Sequence, residues 1–264
     1  MEQKIKIGII GGSGLDDPKL LKDWQEIEID TPYGQPASAL IIGKLAGVEV
    51  LFIARHGKKH SLSPTTVPYQ ANIWALKQSG CTHILATTAC GSLQEKIKPN
   101  DFVFSDQFID HTKHRNLTLF KDQVIHTPMV EPFCQNLRQI LIDSAKNLEL
   151  NYHPKGTVIT IEGPRFSTKA ESRLFKVWQA DIVNMSTVPE VILAREAGIC
   201  YQSIAMVTDY DCWKENEEPV TWQMVMERMK QNSDNIKKLL IEAVPKIKFY
   251  DCTCKNTSPN MSTQ

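Results

Sequence analysis

Five short segments carry residue types that suit the binding of an anion and of a polar group that bears an amine. Glycines let backbone N–H groups approach an anion closely, hydroxyls add donors, and arginine can hold phosphate through two hydrogen bonds. A carboxylate can accept from an exocyclic amine, and a protonated carboxyl can donate to a ring nitrogen. The segments are Gly11-Gly12-Ser13-Gly14-Leu15, Arg55-His56, Thr87-Thr88-Ala89-Cys90-Gly91-Ser92, Asn184-Met185-Ser186-Thr187 and Thr208-Asp209-Tyr210-Asp211.

Each segment taken alone is also compatible with an ordinary turn or cap that binds nothing. The glycine-rich segment is neither a Walker loop nor a dinucleotide-binding fingerprint, because the lysine is missing and Asp17 stands where the third glycine would be. Ser186 and Thr187 could simply cap a helix, although a helix N-terminus is also a ready anion site. The pair Asp209 and Asp211 could be turn acids. The individual segments therefore leave both readings open.

The elements that position these segments favour the functional reading. Apolar runs predict strands at residues 5–10, 39–42, 48–54, 83–87, 102–105, 157–161, 181–184 and 200–208. Helical spacing and helix-end signals predict helices at about 66–80, 131–148, 187–198 and 220–243, with Thr187 as the N-cap of the third and Glu190 completing a capping box. This alternation predicts an α/β fold, a single domain with a central mixed β-sheet flanked by helices.

All five segments follow the carboxyl end of a predicted strand. In open α/β sheets, ligands bind at that edge. We therefore expect hydroxyls, glycines, an arginine, a helix N-terminus and two acids to meet there and to form a site for phosphate plus an amine-bearing group.

Composition limits the possible partners. The 264 residues include 30 Lys plus Arg and 30 Asp plus Glu, so the formal net charge is zero. This balance argues against nucleic acid or an acidic membrane surface as the main partner. Residues 1–10 mix charges with apolar residues, and no apolar run approaches membrane-spanning length. We expect a cytoplasmic protein, and a nuclear pool is compatible with this expectation.

Seven scattered cysteines indicate reduced thiols, mostly in the core. Cys252 and Cys254 could bind metal or form a redox pair, but incidental thiols in a loose tail are the favoured interpretation because no further ligand lies at metal-site spacing. We expect one domain at residues 1–250 and a polar, disordered tail at 251–264. Residues 112–123 are also expected to be loose.

Several longer motifs resemble the series found in trimeric purine nucleoside phosphorylases, and within that family the branch that cleaves 5′-methylthioadenosine. The resemblance runs from about residue 5 to about residue 240. The motifs are Gly11-Gly12-Ser13-Gly14-Leu15, Ala54-Arg55-His56-Gly57, Tyr69-Gln70-Ala71-Asn72, Thr88-Ala89-Cys90-Gly91-Ser92, Glu162-Gly163-Pro164-Arg165-Phe166, Asn184-Met185-Ser186-Thr187-Val188-Pro189-Glu190 and Thr208-Asp209-Tyr210-Asp211.

The resemblance implies a role for each of these positions. Phosphate would be held by Ser13, Arg55, His56, Thr88, Ala89 and Ser186. The purine would be held by Phe166 and by the catalytic set Ser167, Asp209 and Asp211, with Met185 against the ribose. The 5′ substituent would lie near Thr208, Trp222, Val225, His60 and, from a neighbouring subunit, His126. The family is homotrimeric, uses no metal and needs no cofactor, and inorganic phosphate is its co-substrate.

The implied reaction is the phosphorolysis of 5′-methylthioadenosine to adenine and 5-methylthioribose 1-phosphate, a pentosyl transfer in purine and methionine salvage. Phosphate attacks C1′ of an oxocarbenium-like sugar while Asp209 assists purine departure at N7. An acid at position 209 favours a 6-aminopurine, because an ionised carboxylate accepts from the amine and repels a 6-oxo group. Oxopurine-specific relatives carry Asn there.

Other functions remain open at this point. One is a 6-oxopurine or methylthioinosine phosphorylase, another is a non-catalytic nucleoside-binding protein, and a third is a nucleotide hydrolase with a glycine loop. The chain also departs from the family pattern. Ser13 and Ser186 stand where Thr is usual, and Trp222 is bulky enough to narrow the 5′ pocket.

Overall fold

The computed structural model describes residues 5–11, 20–58, 60–215 and 220–255. The strands β1 to β11 are Ile7–Gly11, Lys22–Ile27, Leu40–Leu45, Val48–Ala54, His83–Ser92, Phe102–Val103, Gln107–His111, Tyr152–His153, Thr157–Ile161, Ile182–Asn184 and Cys200–Asp209. The helices α1 to α5 are Tyr69–Gln78, Gln135–Asn147, Lys169–Val177, Thr187–Glu196 and Trp222–Ala243.

Four parallel strands form the centre of the sheet, in the order β4, β1, β5 and β11. All five residues of β1 and all ten of β11 are buried. Strands that are covered on both faces read as continuous apolar runs, which is the pattern that predicted them. The α/β fold with a central mixed sheet is confirmed.

The sheet is mixed because strands of the opposite direction join it on both sides. On one side, β3 pairs antiparallel with β2 and β4. On the other, β10 pairs antiparallel with the end of β5, where Ile182 faces Ser92 and Val183 faces Gly91. β9 and β7 continue parallel to β10. The chain after β10 therefore reaches β5 from the opposite direction to the central strands.

Helices cover both faces of the sheet. Apolar side chains of α2 and α5 pack in one cluster with Ile9, and those of α1 and α4 pack in another with Ile10. Adjacent strand residues point to opposite faces, so the two clusters lie on opposite sides of β1. No helix in the described ranges is long and apolar enough to cross a membrane.

The four predicted helices are present, within a few residues of their predicted bounds, but the pattern missed several other elements. Helix α3 was not predicted, although Thr168 and Glu171 form its capping box. Strand β2 was missed because its residues are almost all exposed and carry no apolar run.

Residues 112–123 differ from the expectation of a loose segment. The side chain of Arg115 is buried and donates to the backbone oxygens of Val188 and Glu162. The backbone N–H of Leu119 donates to Glu196 at 2.6 Å. This segment is held in place by a buried cation and by several hydrogen bonds, including those from the backbone N–H groups of Lys113 and His114 to Glu162, and hydropathy reveals none of them.

The start of the expected tail also differs from the prediction. Residues Thr253–Lys255 form a 3-10 turn in which Cys254 is only 4% exposed. Cys254 packs with Cys134 and Cys200, which are far from it in sequence. Residues 256–264 lie outside the described residues, so the rest of the tail prediction stays a prediction.

Candidate active site

A cavity of about 490 Å³ lies where β4, β5, β10 and β11 come together. Most of the predicted site residues line it. They are Arg55, His56, His60, Thr88, Ala89, Phe166, Ser167, Met185, Ser186, Thr208, Asp209, Asp211, Trp222 and Val225. Ser13 lies outside the described residues. His126 is exposed and does not line the cavity of its own chain.

Arg55 forms the cationic part of the cavity and is held rigidly. It is 1% exposed. Its Nε and Nη2 donate to the two carboxylate oxygens of Glu190 at 2.5 and 2.9 Å, and Nη1 donates to the Thr87 carbonyl at 2.7 Å. Burial works against the charge, but Glu190 outweighs it and raises the pKa of Arg55. A guanidinium has five N–H groups, so two remain for a ligand.

Two hydroxyls meet next to this arginine. The Oγ1 of Thr88, on β5, lies 2.9 Å from the Oγ of Ser186, which precedes α4. The Asn184 amide donates to Thr88 at 3.3 Å and to Thr187, the residue after Ser186, at 2.7 Å. All four side chains are buried. Two adjacent hydroxyls at a helix N-terminus are well suited to phosphate oxygens.

His56 faces the same cavity as a neutral ring. Burial, and next the charge of Arg55, lower its pKa to about 3. The Leu62 carbonyl lies 2.9 Å from Nδ1 and can only accept, so Nδ1 carries the proton. The other nitrogen, Nε2, is then an acceptor. His56 can therefore receive a hydrogen bond from a protonated phosphate oxygen, but in this form it cannot donate one.

Asp209 and Asp211 form the acidic part of the cavity. Asp209 accepts from the Thr208 hydroxyl at 2.6 Å and from the Asp211 backbone N–H at 2.7 Å. Burial raises the pKa of Asp209 to about 6, with a smaller contribution from the charge of Asp211, although both hydrogen bonds oppose the rise. Burial also raises the pKa of Asp211. Both acids are thus closer to the protonated form than solvated carboxyls are.

Gly91 makes room for the two acids. A Cβ at this position would lie 2.9 Å from the Asp209 carboxylate and 3.2 Å from the Asp211 Cβ. These distances are shorter than ordinary van der Waals contact, so any side chain here would displace the acids. The small residues of the segment at 87–92 therefore allow close packing, which the sequence could not distinguish from turn flexibility.

Ser167 brings a hydroxyl to the same acids. The hydroxyls of Ser167 and Ser172 are close enough to Asp211 to lower its pKa against the effect of burial. Neither makes a well-aligned hydrogen bond within the described part of the chain. Ser167 thus lines the cavity, and its buried hydroxyl lies next to Asp211.

The remaining wall is aromatic and apolar. The rings of His56 and His60 stack with centroids 4.3 Å apart, and His60 lies 5.0 Å from the ring of Trp222. Trp222 is the first residue of α5 and is half exposed, whereas Val225 one turn later is buried. An apolar substituent could lie against this wall, and the tryptophan borders its opening to solvent.

Comparisons with known proteins agree with this geometry. Residues 6–245 match the model of the phosphorylase superfamily. An S-methyl-5′-thioadenosine phosphorylase from Xenopus tropicalis is 56% identical over 94% of this chain and 91% of its own length. The protein of the same name from Danio rerio is 55% identical over 92% of this chain and 89% of its own. The chain belongs to the S-methyl-5′-thioadenosine phosphorylase family.

Solved structures extend this similarity to three dimensions. A methylthioadenosine phosphorylase from Schistosoma mansoni in complex with adenine has a TM-score of 0.92 and 45% identity, and the match covers 96% of both chains. A mutant of the adenosine/methylthioadenosine phosphorylase from the same organism, in complex with methylthioadenosine, has a TM-score of 0.91 and 44% identity with the same coverage. The fold of this S-methyl-5′-thioadenosine phosphorylase family member therefore has close solved counterparts.

Glu190 has a different role in this family member from the one its sequence position suggested. The prediction gave Glu190 to a capping box with Thr187, but its carboxylate binds Arg55 and also accepts from the Tyr201 hydroxyl at 2.9 Å. The helix is interrupted at Val188, where φ is −97° and ψ is 130°, and Ser186 occupies the N-cap position. The capping-box prediction is wrong because Glu190 serves the buried arginine instead.

The prediction of one shared strand edge also needs correction. Thr88 and Ala89 lie within β5, not after it. Ser186 follows β10, which runs antiparallel to β5 and so approaches Thr88 from the opposite direction. Arg55 and Asp211 do follow β4 and β11, as expected. The site therefore lies at the middle of β5, at the carboxyl ends of β4 and β11, and at the carboxyl end of β10, which runs in the opposite direction.

Proposed function

We propose that this protein cleaves 5′-methylthioadenosine with inorganic phosphate and releases adenine and 5-methylthioribose 1-phosphate. One observation carries the proposal. A single cavity joins a guanidinium and a hydroxyl pair, which suit phosphate, to a buried acid pair, which suits a purine. The family membership supports the same reaction, since the relatives named above carry the name of that phosphorylase.

The part of the cavity around Arg55, Thr88 and Ser186 suits phosphate more through directed hydrogen bonds than through net charge. Arg55 already shares its charge with Glu190, so its two remaining N–H groups act mainly as positioned donors. Thr88 and Ser186 add hydroxyls. Neutral His56 offers an acceptor, which suits the one protonated oxygen of hydrogen phosphate. This arrangement would orient a deprotonated phosphate oxygen toward C1′.

The acid end supports departure of the base. The bond between C1′ and N9 breaks, and its electron pair goes to the purine. A proton from Asp209 to N7 would neutralise that charge. The pKa of Asp209 is already raised to about 6 by burial, and a bound phosphate dianion together with the exclusion of water would raise it further. A new bond between phosphate oxygen and C1′ completes the exchange.

The aromatic wall supports an apolar 5′ substituent. A methylthio group could lie against Val225 and Trp222, where a 5′ hydroxyl would lose its hydration unless His60 provided a hydrogen bond. We therefore expect methylthioadenosine to be preferred over adenosine.

The decisive experiment measures adenine release from 5′-methylthioadenosine with and without phosphate, with adenosine and inosine in parallel. We expect cleavage only with phosphate, fastest on methylthioadenosine and negligible on inosine. Asp209→Asn should reduce kcat by about 100-fold or more, as expected for loss of a general acid. Asp101→Asn is the matched control, since Asp101 is equally buried outside the cavity. Cleavage without phosphate would contradict the proposal, and so would equal cleavage of inosine.

We further propose that the protein assembles as a homotrimer in which His126 reaches a neighbour's cavity. Two observations support an interface near this residue. His126 is exposed in the single chain, and the apolar side chains of Val124 and Val130 on either side of it are 85% and 82% exposed. Exposed apolar residues close together are typical of surfaces that a partner covers.

A further inference from the structure

Four cysteines from three distant parts of the chain converge on one point. They are Cys134, Cys200, Cys252 and Cys254, and their sulfur atoms all lie within 4.8 Å of one another. The sulfur atoms of Cys200 and Cys252 lie 3.5 Å apart. Three of the four are buried and Cys252 is half-buried. The sequence favoured incidental thiols at 252 and 254 because no other ligand was near in sequence, but the fold supplies two.

The cluster is built on rigid elements. Cys134 is the N-cap residue of α2, and its backbone N–H donates to the Tyr201 carbonyl at 2.9 Å. Cys200 is the first residue of β11. Cys252 and Cys254 flank Thr253 at the start of the C-terminal 3-10 turn. A helix start, a central strand and a short turn thus hold the four sulfur atoms in place.

The cluster is separate from the active site. Asp209 is the last residue of the strand that Cys200 begins. Ten residues of a strand span about 30 Å at roughly 3.3 Å per residue, so the two sites lie near opposite ends of β11. The absence of a metal from the reaction, which the family resemblance implies, is compatible with an ion at this distance.

We propose that these four cysteines bind one zinc ion as a structural site. Zinc in tetrathiolate sites is tetrahedral with Zn–S bonds of about 2.3 Å, which requires sulfur atoms about 3.8 Å apart. The four sulfur atoms lie within 4.8 Å of one another and those of Cys200 and Cys252 are 3.5 Å apart, so displacements of about 1 Å would bring them to this spacing. Four protein ligands leave no open position, which is the mark of a structural and not a catalytic site.

The surroundings fit the charge of such a site. Each thiol gives up its proton to solvent on binding, so a zinc ion with four thiolates carries a net charge of minus two. Arg195 is buried beside the turn, and its Nη2 donates to the Thr253 hydroxyl at 3.2 Å. A guanidinium at this point offsets part of the negative charge. The ion would fasten the C-terminal segment to β11 and α2.

The first test measures metal content by mass spectrometry in protein purified without chelator. We expect about one zinc per chain, and loss of it in Cys254→Ser. The matched control is Cys81→Ser, which changes a buried cysteine outside the cluster and should keep the metal. In the unaltered protein, a strong chelator should lower the Tm by several degrees, and added zinc should restore it. This measurement does not depend on whether Cys254→Ser folds.

Cobalt provides a spectroscopic test of the ligand set. Cobalt added to metal-free protein should give thiolate charge-transfer bands and the visible absorption of tetrahedral cobalt, with saturation at one ion per chain. Retention of the zinc and of these bands in Cys254→Ser would overturn the proposal. Metal-free protein with four reactive thiols and no cobalt absorption would also overturn it. So would an intact mass that shows the loss of two hydrogen atoms through a disulfide within the cluster.

Discussion

Asp209 illustrates how one side chain is tuned by effects of opposite sign. Burial raises its pKa to about 6, while the hydroxyl of Thr208 and the backbone N–H of Asp211 favour the ionised form and limit the rise. A carboxyl with a pKa of about 6 is mostly ionised at neutral pH before phosphate and purine bind in the cavity. In the proposed reaction, bound phosphate and purine raise this pKa further, so that Asp209 is protonated when a proton donor is needed.

The contribution of the Thr208 hydroxyl to the pKa of Asp209 can be tested by substitution. Thr208→Val removes a donor that stabilises ionised Asp209, so the pKa of Asp209 should rise. If protonated Asp209 is the active form, activity falls as pH rises through that pKa. The alkaline limb of the profile of kcat/KM against pH should therefore move upward by roughly one pH unit in the variant.

Thr82→Val is the control for this experiment, since Thr82 is a buried threonine at the amino end of β5, outside the cavity. Its alkaline limb should coincide with that of the unaltered protein. A limb that stays in place in Thr208→Val would mean that a different group sets it.

Asp209 should also cost stability at neutral pH. A carboxyl whose folded pKa lies above its unfolded value contributes stability that is lost as pH rises through the folded pKa. A rise in the pKa of Asp209 from 3.8 to about 6 corresponds to about 3 kcal/mol of unfolding free energy. Asp209→Asn should match the unaltered protein in unfolding free energy below about pH 4 and exceed it by about 2 to 3 kcal/mol above pH 7, as measured by urea denaturation. A constant difference across this range would contradict the expectation.

At the residue scale, the sequence predicted which side chains meet but not how they are held. Arg55, Ser186 and Asp209 stood out because their types suit a ligand. Glu190 did not, because a Glu three residues after Thr187 is equally typical of a helix start. Only the fold shows that it neutralises a buried arginine 135 residues away. Long-range pairing of this kind leaves no trace in local spacing.

The Arg55–Glu190 pair also acts at the scale of elements, because it connects the end of β4 to the first turn of α4. Both side chains are almost completely buried. Breaking a buried pair is costly because it leaves an uncompensated charge. The pair therefore fixes the helix N-terminus that carries Ser186 against the turn after β4 that carries His56.

Glu190→Gln should lower the unfolding free energy by about 3 kcal/mol or more. Phosphate should then stabilise the variant more than the unaltered protein, since the dianion supplies the missing counter-charge to Arg55. Thermal unfolding with and without phosphate measures both effects. Glu171→Gln is the matched control, because it weakens an equally short but exposed pair with Arg165 and should cost under about 1 kcal/mol. Equal losses in the two variants would contradict this account.

Among the strands, those with a continuous apolar run were predicted, and those with mixed polar and apolar residues were not. β1, β4 and β11 are continuously apolar because helices cover both of their faces. β7 has polar and half-buried residues and owes its existence to pairing with β9, so its own sequence does not show a strand. The antiparallel direction of β10 relative to β5 could not be predicted either, because strand pairing depends on the whole sheet.

For the whole molecule, the proposed homotrimer predicts sites that are shared between neighbouring chains. Light scattering should give a mass of about three times the 29.9 kDa of one chain. His126→Ala and Asp209→Asn should each be nearly inactive alone. Hybrid trimers made from the two should regain activity, because the His126→Ala chain keeps its own acid and borrows a histidine from its neighbour.

His114→Ala provides the control, since His114 is also exposed and does not line the cavity. The activity of His114→Ala should equal that of the unaltered protein. Hybrids of His114→Ala with Asp209→Asn should show only the activity of the His114→Ala chains that they contain. Hybrids of His126→Ala without any recovery would place His126 outside the neighbour's site.

The pairing of β5 with β11 has a consequence during protein synthesis. Ile84 lies opposite Tyr201, so the central sheet closes only after most of the chain has left the ribosome. The cavity needs still more, because Arg55 and Val225 line it together. A nascent chain therefore has no complete binding site, and neither phosphate nor nucleoside can assist its early folding. Strand pairings this distant in sequence are slow to form, so we expect newly made chains to rely on chaperones until α5 has emerged.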